Sequence, residues 1–76
     1  MLEIIEFNYK LFRYRSESHE QGVVYNLRYG TLFIVKGNTK TIIERIISQG
    51  SISINTENKA IDFLIQNKVF SRKVER

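Results

Sequence analysis

Apolar residues recur first with a period of two and later with a period near 3.6, so the chain reads as a strand-rich first half followed by a helix-rich second half. Residues 7–15 alternate in part, with Phe7, Tyr9 and Leu11 on one side and Phe12 and Tyr14 on the other, and predict a first strand. Upstream, Ile4-Ile5 breaks the alternation and marks either a bulge or a separate short strand. The polar run 16–22 predicts an exposed loop. Two β-branched and aromatic runs then flank Tyr29-Gly30, so residues 23–36 predict a β-hairpin. With a two-residue loop, Arg28 faces Thr31. Val23, Tyr25, Leu27, Leu32 and Ile34 then share the face expected to meet the core, and Val24, Asn26, Arg28, Thr31, Phe33 and Val35 share the other. A type I turn with a glycine bulge would shift that pairing by one residue.

Asn38 is the expected N-cap of a first helix over residues 39–49, which Gly50 stops. Ile42, Ile43, Ile46 and Ile47 form a stripe that spans roughly 140° of its surface, the width of one buried face. Residues 51–55 are short and β-branched, which predicts an extended connector or a tiny strand. Thr56 is expected to begin the last helix, running through Lys68, with Glu57 favoured by the dipole at its start. Ala60, Ile61, Leu64 and Ile65 give its core stripe. Phe63 widens the apolar sector to roughly 200°, more than a one-sided core requires, and so leaves part of it for a partner. Val69-Phe70 closes the core ahead of a basic tail, residues 71–76, read as a solvated end.

Composition narrows the reading. At 76 residues the chain makes one small domain, with its core over about residues 7–70. The absence of cysteine excludes disulfides and thiolate metal sites. His19, the single histidine, sits in the polar loop and reads as solvated. No glycine spacing suits a phosphate cradle, and Ser48, Ser51, Ser53 and Ser71 have no candidate base in a defined motif. An enzyme is therefore not expected, nor a cofactor or metal. No apolar run reaches the roughly 20 residues that cross a bilayer, and the start lacks the basic segment and cleavage site of a signal peptide. A cytoplasmic protein without membrane contact is the expectation.

The net charge of +4 favours acidic partners in general: nucleic acid, anionic membrane or acidic peptide. Tyr9 to Arg15 mixes aromatic and basic residues that could stack on bases, although the same residues at period two are what a half-buried strand shows. Nucleic acid is not the favoured partner, because residues 58–64 offer few basic or amide groups as a recognition helix and include Asp62.

Three strands, a glycine hairpin (Gly22 through Gly30 to Lys36), the pairs Ile42-Ile43 and Ile46-Ile47, and then Ile61, Leu64 and Val69-Phe70 together resemble the PqqD-like family. Its members are recognition elements for ribosomally made, modified peptides (RiPP recognition elements), and the likeness covers about residues 7–70. Two departures stand out. Residues 51–55 leave little room for the family's middle helix, and Val35-Lys36-Gly37-Asn38 stands where many members carry Leu-Asn. The resemblance implies an α+β fold: a small winged-helix-like domain with a three-stranded antiparallel sheet followed by two or three helices. It also implies a non-catalytic peptide chaperone that takes up the leader segment of a precursor peptide on the third strand, in a cleft completed by the last helix. Most similar are the discrete leader-binding proteins of lasso peptide biosynthesis, whose partners are a leader peptidase and a cyclase. A partner of a radical SAM enzyme comes second.

The expected peptide site is Thr31, Leu32, Phe33, Ile34, Val35 and Lys36 on the strand, with Ala60, Phe63, Leu64 and Asn67 on the helix. Arg28, Lys36 and Lys59 are the expected electrostatic contacts, and a monomer is expected. Two rival readings are a winged-helix nucleic-acid-binding protein and a structural subunit that self-associates through its edge strand.

Overall fold

The computed structural model describes residues 2–73; the tail positions Val74, Glu75 and Arg76, like Met1, lie outside the described residues. The order of elements is β1 (Leu2–Phe7), β2 (Phe12–Ser16), β3 (Gln21–Asn26), β4 (Leu32–Lys36), α1 (Gly37–Gln49), β5 (Ser51–Asn55), α2 (Lys59–Gln66) and β6 (Phe70–Arg72). The fold is α+β, but the single sheet expected from the sequence is two antiparallel three-stranded sheets, ordered β5-β1-β6 and β2-β3-β4.

The first strand expected over residues 7–15 is split, because the chain turns at Asn8. The Asn8 carbonyl accepts from the amides of Leu11 and Phe12 (3.3 and 3.1 Å), while its side-chain oxygen accepts from the Lys10 amide at 3.2 Å, a local turn that asparagine makes readily. Its other side-chain atom, Nδ2, donates to the Lys68 carbonyl at 2.8 Å and ties the turn to the end of α2. Ile4-Ile5 thus belongs to a separate strand, the second of the two readings of that pair. Residues 51–55 form a strand on one edge of β1, and the three-residue β6, not foreseen in the tail, pairs on its other edge.

The hairpin forms with a longer loop than expected. Asn26 ends β3 early: its side chain accepts from the amides of Arg28 and Tyr29 (2.9 and 3.1 Å), and its backbone bonds Thr31 and Gly30. Gly30 supplies the positive φ that closes the turn, at 69°. Val24 therefore pairs with Phe33 and Val23 with Ile34, two residues from the expected register, which leaves the two sets of faces unchanged. Which face is buried is reversed. Val24 and Val35 are sealed in the core, whereas Leu32 and Ile34 are 55% and 52% exposed. Both faces carry branched apolar residues, and only the packing of α1 and the other sheet distinguishes them.

Helix α1 starts at Gly37, so Asn38 lies inside its first turn and is not the cap; Lys36 occupies that position without a side-chain bond. Gly50 stops the helix as expected, its N–H bonded to the Ile46 carbonyl at 2.7 Å with φ at 87°. Helix α2 starts at Lys59 and not at Thr56: Asn58 caps it by accepting from the amides of Ala60 and Ile61 (2.8 and 3.4 Å). It ends before Lys68, which takes φ of 67° as the chain turns into β6. One contiguous core joins Ile5 and Phe7 of β1, Val24 and Val35 of the second sheet, Ile43 and Ile46 of α1, Ile61 and Leu64 of α2, and Phe70 of β6.

Candidate functional site

Strand β4 has β3 on one side only, so its other edge is open among the described residues. The Asn26 amide bonds the Thr31 carbonyl at 2.8 Å. Antiparallel alternation then directs the backbone groups of Phe33 and Val35 toward β3, and those of Leu32 and Ile34 with the Lys36 N–H toward the open edge, the Lys36 carbonyl serving as the cap of α1. Such an edge is a ready template for an added strand.

Beside that edge stands α2. Phe33 and Phe63 meet edge to face, with ring centroids 6.4 Å apart and planes at 86°. Between strand and helix runs a groove of about 210 Å³, lined by Phe33, Ile34, Val35 and Lys36 on one side and Ala60, Phe63 and Leu64 on the other. Thr39, from the first turn of α1, closes one end. Val35 and Leu64 are buried and form the floor, while Phe63 is 55% exposed and forms a wall. The surplus apolar sector read in the sequence is this exposed ring.

Seven of the ten expected strand and helix positions therefore line one groove. Leu32 is on the neighbouring outer face, and Thr31 lies in the hairpin turn beyond the groove. Asn67 caps α2, donating from Nδ2 to the Phe63 carbonyl at 2.8 Å, and with Arg28 it lines a separate cavity of about 370 Å³ at the end of that helix. Arg28 lies 5.5 Å over the ring of Tyr29. Lys59 is exposed at the start of α2 and is not among the groove-lining residues; of the expected cations only Lys36 reaches it. Thr39 was missed, because nothing in the sequence distinguishes it from any other residue of a helix's first turn.

A polar tie fixes α1 to the sheet. The Tyr14 hydroxyl donates to Glu44 Oε2 at 2.6 Å, and Lys40 Nζ donates to the same oxygen at 2.8 Å. Burial, and then the bond to Glu44, pushes the Tyr14 hydroxyl up to about 12. The bonds from Lys40 and then Tyr14 hold the Glu44 carboxyl below its ordinary value. The pair is thus held as neutral phenol and carboxylate across the physiological range, which suits anchoring of the helix that begins where β4 ends. His19 is exposed in the turn between β2 and β3. Among the described residues no three His, Cys, Asp or Glu side chains gather as a metal site would need, and no helix is long and apolar enough to cross a membrane.

Compared with known protein families, curated proteins and solved structures, the chain matches none, so its own geometry must carry the functional reading.

Proposed function

We propose that this chain is a non-catalytic peptide-binding protein that takes up an extended segment as a fourth strand on the open edge of β4. The observation that carries the reading is the groove itself: outward backbone groups at Leu32 and Ile34, with the Lys36 N–H, run beside an exposed aromatic wall at Phe63. Strand addition divides the work, with main-chain bonds supplying register and affinity and alternate side chains of the guest entering the apolar trough to supply selectivity. Lys36 at the groove's end favours a guest carboxylate by about 0 to 1 kcal/mol if the pair stays exposed.

The order of elements through the hairpin and the two helices supports the leader of a ribosomally made precursor as the guest, with delivery to a leader peptidase and cyclase, or to a radical SAM enzyme, as its purpose. On this reading the β2-β3-β4 sheet with α1 and α2 is the winged-helix-like part, and β5-β1-β6 is added behind it.

The test is an Ile34→Pro variant titrated with candidate leader peptides by calorimetry. Position 34 removes an outward N–H and spares the β3 ladder, whereas proline at 35 would break a bond inside the sheet. Binding is expected to weaken by about tenfold or more with the fold intact by circular dichroism. A folded variant that binds the peptide as well as the parent would overturn strand addition at this edge. Light scattering of the free protein separates this reading from self-pairing of the edge, which would make a dimer without peptide.

A further inference from the structure

The sheet β2-β3-β4 has a second face, turned away from the core, of which the groove takes in only Ile34 and Lys36 at its β4 border. Cross-strand pairing sets Arg13, Tyr25 and Leu32 in one row, and Arg15, Val23 and Ile34 in the next, with Lys36 beyond Ile34 on β4. Leu32 and Ile34 are about half exposed, yet Val23 between the strands is only 5% exposed while lying outside the buried cluster of the core. Its cross-strand neighbours on this outer face are Arg15 and Ile34. The Arg15 guanidinium lies 5.6 Å over the Tyr25 ring, and Arg13 lies 6.0 Å over Tyr9 while donating to the Phe12 carbonyl at 2.8 Å. No acidic residue projects from the three strands on this side; Glu17, in the adjoining turn, meets Arg15 at 2.6 Å. The result is a preformed apolar patch rimmed by cations.

We propose that this outer face docks an amphipathic helix of a partner protein, apolar along one stripe and flanked by carboxylates. The face offers side chains and no free backbone groups, because those of β3 are bonded within the sheet and the unpaired ones of the edge strands β2 and β4 point sideways in its plane. Its occupant must therefore satisfy its own backbone, as a helix does. Arg13 and Lys36 around Leu32 and Ile34 complement acidic flanks on an apolar stripe, with Arg15 held beside them by Glu17. A second copy fits badly, since a two-fold packing would set these cations against their own counterparts. Nucleic acid also fits badly: Val23, Leu32 and Ile34 have no ring for a base to stack on, and Tyr25 is already covered by Arg15. This surface meets the groove at Ile34 and Lys36, which line both, whereas Arg13, Arg15, Tyr25 and Leu32 lie outside the groove, so docking here does not require a peptide on β4's edge.

The test uses a hydrocarbon-stapled helix with leucines at i, i+3, i+4 and i+7 between flanking glutamates, which cannot add as a strand. The same helix with lysines in place of the glutamates and a thymidine oligonucleotide serve as comparators, all titrated against the full chain with amide shifts mapped by NMR. The acidic helix is expected to move the amides of Val23, Tyr25, Leu32 and Ile34 and to bind about tenfold more weakly to Leu32→Glu and to Arg13→Glu, and equally well to Phe63→Ala. Thermal melts confirm that each variant is folded, and Leu32, being exposed, can change without touching the core. No binding, equal binding of the lysine helix, loss of binding in Phe63→Ala, tighter binding of the oligonucleotide, or a dimer of the free chain that Leu32→Glu dissociates would each overturn the proposal.

Discussion

Gly22 shows how much one missing side chain can organise. It is buried opposite Ser16 and Val35, and the Tyr14 phenol lies where a Cβ at this position would stand. That close approach lets the Tyr14 hydroxyl reach Glu44 on α1. Gly22→Ala is expected to force the ring aside and lower stability by about 1–3 kcal/mol, read from urea unfolding, with Tyr14→Phe costing about 0.5–1.5 kcal/mol. The same contact sets a pH dependence. Because folding raises the Tyr14 hydroxyl from 10.0 to about 12, its contribution is whole below pH 10 and is lost as the pH climbs toward 12, where the unfolded chain ionises first. Melting temperatures of wild type and Tyr14→Phe should therefore converge between those pH values. Glu44 and Glu3 behave oppositely. Both are held below 4.5, Glu44 chiefly by Lys40 and Glu3 chiefly by Thr56 with help from Arg72, so their support is present above that pH and fades as acid protonates them in the fold.

At the scale of elements, the groove is only as good as α2, a helix of eight residues that is too short to persist alone in water. Its start is held by Asn58 and its end by the turn at Lys68, through which Val69 N–H reaches the Leu64 carbonyl at 2.9 Å. Asn58→Ala is expected to cost about 0.5–2 kcal/mol in chemical unfolding, and to weaken peptide uptake as well because the helix carries Phe63. The two helices were legible as isoleucine and leucine stripes, and their buried members are Ile43, Ile46, Ile61 and Leu64. The starts were not legible. Asn38 is the expected cap of α1 and Thr56 the expected start of α2, but Lys36 takes the cap position ahead of α1 and Asn58, where the chain bends out of the helical path, caps α2. The strand β4 was legible for the same reason the helices were, as a run of β-branched and aromatic residues after a glycine turn, whereas its open edge was decided by the sheet order β2-β3-β4.

For the whole molecule, one core must hold two sheets and two helices together. Ile46, fully buried on α1 within the cluster that contains Ile5, Val24 and Ile52, belongs to that joint. Ile46→Ala is expected to cost about 2–5 kcal/mol. Domains of this length commonly have only roughly 4–11 kcal/mol in total, so the variant should unfold in a single transition at markedly lower temperature, with far- and near-ultraviolet circular dichroism changing together. Separate transitions for the two signals would mean that the sheets are not one cooperative unit.

Local chemistry in the chain determined the hairpin, the two amphipathic helices, the extended character of residues 51–55 and the surplus apolar surface at Phe63, because periodicity, turn residues and glycine act over a few neighbours. Tertiary structure decided the rest. It divided the strands between two sheets, since Asn8 and Lys68 meet across 60 positions of sequence, and it chose which of two nearly equivalent hairpin faces to bury. Pairing and burial over such separations depend on what arrives from elsewhere in the chain. That choice placed Val24 and Val35 inside, and it left Leu32 and Ile34 facing outward on the strand whose edge lies beside Phe63.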